Sequence, residues 1–375
     1  MSKKDIKIFI TATEQSGDNI GSNLMKSLKT YKNFNFSFHG IGGDKMIKEG
    51  LEKTNHISEF KSLGLVEIII NLNSIFKILN SNVKKIFEIN PDLILTIDSP
   101  DFSFRLVEKL KAKNFNSIFI HMVAPTVWAW RPGRAKYISK LYDLLLTILP
   151  FENVYFEKHN LKSVFIGNPI CSDKVTLNDN NYIKDYIALL PGSRINEINK
   201  LLPYIEKFIL NVNSRYKNFK FYIPTLPHLK NYIENYIKFW KLKPILSDHI
   251  NEKNKLYCKT KFALVCSGTA ALEMSSLKIP IIVIYKLNIF TELIFKLLVK
   301  VKYANLINIM AKKEIIPEII NSKLTNNNLF ECFNNLINSE INQKNQIYES
   351  QIIIEKLYTK NDFSFNASNE IIKLL

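Results

Sequence analysis

Leu189-Leu190-Pro191-Gly192-Ser193-Arg194, with Glu197 three residues on, closes an apolar run that opens at Tyr186. A short apolar run stopping at a proline–glycine step reads as a buried strand that turns tightly into a helix. Such a turn frees backbone N–H groups that can hold a phosphate, and Arg194 can add a bidentate grip. The same residues also read as a plain turn in which Ser193 caps the helix and Glu197 closes a capping box. The unit recurs where residues 262–266 run into Ser267-Gly268-Thr269-Ala270-Ala271-Leu272-Glu273. There Glu273 lies about one and a half helical turns in, where an acidic side chain can accept from ribose hydroxyls. Neither half carries GxGxxG or a P-loop, which disfavours a nicotinamide enzyme and a P-loop NTPase.

Outward from that unit the pattern repeats. Strand-like runs lie at 6–12, 36–40, 91–97, 117–122, 144–149 and 163–166, then at 219–224, 244–246 and 280–285, while 19–28 and 75–89 have helical spacing. Only 11 of 375 residues are Gly, and most follow directly on an apolar run, where strand-to-helix turns need them. Strands alternating with helices predict parallel βαβ units. A polar, Asn/Asp-rich stretch at 172–185 separates two such series. The expected fold is α/β: two Rossmann-like domains, with parallel sheets facing across a cleft. The expected bounds are 1–175 for an N-terminal domain, 176–340 for a C-terminal domain, and 341–375 for helices that pack back on the first.

Fifty-one Lys and Arg against 34 Asp and Glu give a net charge of +17. That favours an anionic partner, whether nucleic acid, membrane surface or phosphorylated substrate, although a chain so heavy in Asn, Ile and Lys owes part of the charge to composition bias. Four cysteines without CxxC spacing exclude a disulfide scaffold, and six histidines form neither HxxxH nor HExxH, which argues against a zinc hydrolase. The first apolar run is too short for a signal peptide and meets Glu14 at once. No stretch reaches the ~18 apolar residues that span a bilayer. The expectation is a cytoplasmic protein, or one that rests on a membrane without crossing it.

In the first half, Asp98 and Asp101 follow a strand's carboxyl end, where open α/β sheets place ligands and where a carboxylate can take a proton from a hydroxyl. Glu14, Ser16 and Asp18 follow the first strand in the same way, and Ser16 and Asp18 equally suit helix capping. Trp128, Trp130, Arg131, Arg134 and Lys136 form an aromatic–basic cluster suited to a sugar or an anionic lipid head, or to packing between domains. Residues 63–79 and 290–309 are apolar with interleaved lysines, which fits a face on anionic lipid as well as core helices.

With those residues in view, the chain closely resembles the lipid-A-disaccharide synthases. The resemblance runs from Glu14 to about Glu318. It is carried by Ser16-Gly17-Asp18 with Gly21, Gly40-Ile41-Gly42-Gly43, Gly64-Leu65-Val66-Glu67 and Ile97-Asp98-Ser99-Pro100-Asp101-Phe102. Pro125-Thr126-Val127-Trp128-Ala129-Trp130-Arg131, Leu149-Pro150-Phe151-Glu152, the two turns above and Leu298-Val299-Lys300 complete it. The resemblance implies an inverting GT-B glycosyltransferase. It would join UDP-2,3-diacylglucosamine to 2,3-diacylglucosamine 1-phosphate (lipid X), giving the β-1,6-linked lipid A disaccharide 1-phosphate and UDP. It would work as a peripheral protein at the inner face of the cytoplasmic membrane of Gram-negative bacteria, with no cofactor, no metal for the chemistry and no nucleic-acid partner; a homodimer stays open.

Carried onto this sequence, the resemblance makes Asp98 the base on the acceptor 6′-hydroxyl and Arg194 the stabiliser of the departing diphosphate. Gly192, Ser193, Arg194, Ser267, Gly268, Thr269, Ala270, Glu273 and Asn308 are expected around UDP. Glu14, Ser16, Asp18, Trp128 and Arg131 are expected on the acceptor side. The sequence departs from the family pattern in four places. Thr13 stands for a glycine, and Gly167-Asn168-Pro169 for Gly-His-Pro. Leu306-Ile307-Asn308 stands for Leu-Pro-Asn, and Ala311-Lys312-Lys313-Glu314 for Ala-Gly-Arg-Glu. Two rival readings stay open: another GT-B UDP-sugar enzyme, whether an epimerase or a transferase with a soluble acceptor, and a non-catalytic basic protein that binds RNA or membranes.

Overall fold

The structure, a computed structural model, describes residues 3–60, 67–171, 182–266, 268–288 and 301–375. The chain divides into two compact units, Met1–Ser172 with Leu357–Leu375, and Asp173–Lys356. Both are parallel sheets covered by helices.

The first unit holds β1 (Lys4–Ala12), β2 (Phe34–Gly42), β3 (Leu51–His56), β4 (Leu93–Ile97), β5 (Ile118–Met122), β6 (Leu144–Thr147) and β7 (Ser163–Phe165). Their order is β3-β2-β1-β4-β5-β6-β7, and every pair is parallel. The helices between them are α1 (Gln15–Leu28), α2 (Asp44–Lys48), α3 (Glu67–Ile89), α4 (Pro100–Lys111), α5 (Arg134–Ile138) and α6 (Asn153–Glu157). Successive side chains of a strand point to opposite faces. Phe9, Ile94, Phe119 and Leu145 therefore pack with Val83, Ile86, Leu106 and Leu110 of α3 and α4. Their neighbours Ile8, Ile10, Leu95 and Ile120 pack on the other face with Leu24, Met25 and Leu28 of α1. Strands buried on both faces explain why they read as unbroken apolar runs.

The second unit holds β8 (Tyr186–Leu190), β9 (Lys220–Pro224), β10 (Ile245–Ser247), β11 (Thr260–Cys266), β12 (Ile281–Tyr285) and β13 (Glu318–Ile320), in the order β10-β9-β8-β11-β12-β13, again all parallel. Its helices are α7 (Ile195–Arg215), α8 (Pro227–Ile237), α9 (Ile250–Cys258), α10 (Thr269–Ser276), α11 (Leu306–Ala311), α12 (Asn326–Ile337) and α13 (Glu340–Glu355). On α7, Ile198, Leu201, Leu202, Ile205, Phe208, Ile209 and Val212 are all buried. Their three-and-four spacing forms one apolar stripe against the sheet.

Two expectations change. The boundary placed after residue 340 falls after 356, because α13 packs on α10 and α12 and its Gln346 bonds both the amide and the carbonyl of Ile281 on β12. Only 357–375 belongs with the first unit, where α14 (Phe363–Ile372) buries Phe363, Ala367 and Ile371 beside α1. The strands β3 and β13 were not expected at all. They are edge strands, and Leu51-Glu52-Lys53-Thr54-Asn55-His56 carries polar side chains on both faces, so no apolar run marks it.

Candidate active site

In open sheets with this strand order, ligands settle at the carboxyl ends of the strands where the order reverses. In the first sheet the reversal lies between β1 and β4, which pair Ala12 with Ile97. In the second it lies between β8 and β11, which pair Leu190 with Val265. The chain beyond Ala12 carries Glu14, Ser16 and Asp18, and beyond Ile97 it carries Asp98. Beyond Leu190 come Gly192–Arg194, and beyond β11 come Gly268, Thr269, Ala270 and Glu273. Part of each expected set thus follows its own sheet's reversal, whereas Trp128 and Arg131 follow β5 and Asn308 lies on α11.

The first crevice is built around strain. Asp98 and Ser99 both take left-handed backbone angles, with φ of 52° and 47°. Each such residue costs about 1–3 kcal/mol and persists only where its surroundings over-determine it. Here the Asp98 amide donates to the Met122 carbonyl at 2.9 Å, and the Ser103 hydroxyl donates to the Asp98 carbonyl at 2.8 Å. The Ser99 carbonyl accepts from the amides of Phe102 and Ser103 at 3.0 Å each, and the Ser99 hydroxyl lies 2.5 Å from that of Thr13. Asp98 itself is half-buried. Asp101, the second carboxylate of the motif, is bound by Arg134 at 2.6 Å and lies exposed.

Glu14 and Ser16 are exposed at the start of α1. Asp18 is fully buried, and its carboxylate accepts from the amides of Gly43, Lys45 and Met46 at 2.8, 3.1 and 3.1 Å. It therefore caps α2, not its own helix, and the expectation that it borders the acceptor is corrected: backbone amides take up its carboxylate. A side chain on Gly43 would put its Cβ 2.7 Å from the Asp18 carboxylate, so only glycine fits there.

Trp128 is half-buried, with its indole N–H donated to Glu152 at 3.2 Å and its ring edge-on to Phe151. Its polar handle is therefore held inside the unit. The exposed aromatic is Trp130, with the Arg131 guanidinium over its ring at 4.1 Å. Glu152 is buried, and loss of hydration raises its carboxyl to about 8 against the pull of the Trp128 and Leu149 N–H groups.

In the second crevice Gly192 has φ of +107°, and a Cβ there would lie 2.6 Å from a Glu197 oxygen. The N-cap of α7 is Arg194, not Ser193, and Ser193 lies exposed. Glu197 closes no capping box: its Oε1 lies 3.5 Å from both the Arg194 guanidinium and the Tyr285 hydroxyl. Burial beside that carboxylate pushes the Tyr285 phenol up to about 12. Gly268, also at φ +107°, is the N-cap of α10; Thr269 is exposed and Ala270 half-buried. Ser267 lies outside the described residues. Glu273 is half-buried and accepts from the Tyr257 hydroxyl at 3.2 Å.

Asn308 does not line a pocket. It is fully buried, donates to the Ile316 carbonyl and Glu318, and accepts from the amides of Ile315 and Ile316, all at 2.7–2.9 Å. Every polar position of its amide is used in fastening the turn before β13. Gly64, Leu65, Val66 and 289–300 also lie outside the described residues, and with them 63–66 and 290–300 of the two apolar lysine-bearing segments.

The departures from the family pattern have local explanations. Thr13 supplies the hydroxyl that meets Ser99. Asn168 donates to the Ile148 carbonyl and accepts from the Ile170 amide, a turn bond within the reach of a short amide. Lys312, where the family has glycine, is the left-handed C-cap of α11 at φ 57°, and Lys313 pairs with Glu349 at 2.8 Å.

Two open cavities of about 540 and 560 Å³ lie elsewhere, one along β7 and α14, the other along α12 and α13, and neither includes a residue of the two crevices. Among the described residues no group of three or more His, Cys, Asp or Glu is placed to hold a metal ion. The Thr13–Ser99 contact and the partners Glu152 and Tyr257 were not expected from sequence, since each depends on strands or helices distant along the chain.

The family described as lipid-A-disaccharide synthetase matches residues 8–373. The lipid-A-disaccharide synthase of Rickettsia typhi is 36% identical over 376 residues, 96% of this chain and 96% of its own length. That of Rhodospirillum centenum is 32% identical over 353 residues, 92% of this chain and 88% of its own. Among solved structures, S. aureus MnaA with UDP superposes with a TM-score of 0.63 at 16% identity, over 100% of this chain and 97% of its own. Acinetobacter baumannii MurG gives 0.55 at 10% identity over 99% of each chain. At such identities the structures share the fold alone.

Proposed function

The chain belongs to the lipid-A-disaccharide synthetase family, and on that premise we propose how its two crevices divide the work of glycosyl transfer. It is a glycosyltransferase of GT-B architecture that forms the lipid A disaccharide. Its donor is UDP-2,3-diacylglucosamine and its acceptor lipid X, joined as the β-1,6-linked disaccharide 1-phosphate with release of UDP.

The second unit takes the nucleotide. The Glu197 and Ala271 amides turn back onto the carbonyls of their N-caps, the leading amides of a helix find no acceptor one turn back, and the dipoles of α7 and α10 favour a diphosphate. Arg194 adds charge where the leaving group becomes more negative, and Glu273 accepts from the ribose. In the first unit Asp98 takes the proton of the acceptor 6′-hydroxyl as that oxygen attacks the anomeric carbon. The new C–O bond forms as the bond to the UDP oxygen breaks; UDP leaves with the electron pair, and one displacement inverts the centre.

The observation that supports this most is the left-handed pair Asp98-Ser99 at the strand reversal, since backbone strain of this kind clusters at active sites. No helix among the described residues is long and apolar enough to cross a membrane. Acylated substrates call for a peripheral station on the inner membrane, and the net charge of +17 favours an anionic surface. The test is direct: purified protein with both substrates, followed by mass spectrometry for the disaccharide 1-phosphate and by UDP release. Absence of both products overturns the reading.

A further inference from the structure

Glu273 is held by a buried tyrosine from another helix. Tyr257, near the end of α9, is 2% exposed, and its hydroxyl donates to Glu273 Oε1 at 3.2 Å. Its ring packs against Tyr222 of β9, centroids 6.4 Å apart. Tyr222 is in turn fixed through its hydroxyl, 2.6 Å from Thr260 Oγ1, and the Thr260 hydroxyl donates to the Leu256 carbonyl at 2.8 Å. The tyrosine is thus braced by both its ring and the backbone beside it. Burial and the neighbouring carboxylate raise the Tyr257 phenol, so it stays a neutral donor throughout the working pH range. A neutral O–H aimed at one carboxylate oxygen helps to fix the side-chain rotation.

We propose that Tyr257 is a positioning residue for nucleotide selection, holding Glu273 in the orientation that accepts from the ribose hydroxyls of a uridine diphosphate. This rests on the assignment of Glu273 to the ribose. Without the tethering hydroxyl the carboxylate loses one of the contacts that orient it, and the ribose hydroxyls must supply that ordering on binding. The loss then belongs to the ribose hydroxyls and not to the diphosphate.

The test compares UDP with 2′,3′-dideoxy-UDP by titration calorimetry on the full chain, as the parent, Tyr257→Phe and Glu273→Gln. Phenylalanine keeps the ring packing, and a thermal melt checks that the fold is kept. Tyr257→Phe is expected to raise the Kd for UDP about fivefold to tenfold, the range of one hydrogen bond to a charged group, with under about twofold change for the dideoxy nucleotide. In turnover the same variant raises KM for the donor more than it lowers kcat. An equal loss on both nucleotides means a general disturbance of the pocket and overturns the proposal, as does an unchanged Kd for UDP. If Glu273→Gln weakens UDP selectively while Tyr257→Phe does not, the tether fails and the ribose assignment stands. If Glu273→Gln leaves the preference for UDP intact, the ribose assignment fails and the proposal with it.

Discussion

The hydroxyls of Thr13 and Ser99 meet at 2.5 Å across the gap between β1 and β4. That contact ties the loop after one strand to the left-handed turn after the other. Thr13→Val keeps the shape and removes the hydrogen bond, at a cost of about 1 kcal/mol. The expected result is a kcat about fivefold lower at an unchanged UDP Kd, because the proposed nucleotide site belongs to the other unit. Unchanged kcat would mean that the turn holds its shape without this tie.

Asp98→Asn removes the proposed base and retains the side chain's size. Turnover is expected to fall on the order of 10²–10⁴-fold, while calorimetry finds UDP bound as before. A variant that turns over at the parent rate would dismiss Asp98 from the chemistry.

Lys312 spends its place as the C-cap of α11 in a conformation that favours glycine. Lys312→Gly is expected to stabilise the second unit by about 0.5–1 kcal/mol, read as a rise of about 2 °C in its melting temperature. Activity is expected to stay the same, since the exposed lysine is assigned to neither crevice. A fall in melting temperature would contradict the strain argument.

Glu152 and His121 bias stability in opposite directions with pH. Glu152 is raised from 4.5 to about 8 by burial, so the folded chain holds a proton there that the unfolded chain has lost. Stability then falls as pH rises through that window. His121 is lowered from 6.5 to about 3 by burial, so acid below pH 6.5 favours the unfolded chain, and stability rises with pH up to that point. The two oppose each other below pH 6.5, and of the pair only Glu152 acts between 6.5 and 8. In that upper window Glu152→Gln is expected to flatten the decline seen in the parent, whose limiting slope is about 1.4 kcal/mol per pH unit. Urea midpoints at pH 6.5, 7.2 and 8 measure it; parallel curves would place the Glu152 proton elsewhere.

The central strands were legible because both faces of β1, β4, β8 and β11 are buried, which leaves apolar runs that stop at turn-forming or polar residues. The carboxyl ends of strands followed, and with them the placing of Asp98 and Gly192, whereas the strand order that puts both at a reversal came from the fold. Asp18 and Asn308 show where local reading stops. Each is a polar residue beside a strand or turn, and only the fold reveals that backbone amides consume the carboxylate of the first and the side-chain amide of the second. Glu152 and Tyr257 were illegible for the converse reason: their partners lie 24 and 16 residues away, on elements whose approach no local pattern encodes.

The helix Phe363–Ile372 finishes the hydrophobic face that β1 and α1 begin. On the ribosome, the first sheet must wait with α1 partly uncovered until the whole second unit has been synthesised. A stop codon before Phe363 would therefore damage the part of the protein made earliest, and the nascent amino-terminal half is the stretch that most needs a chaperone.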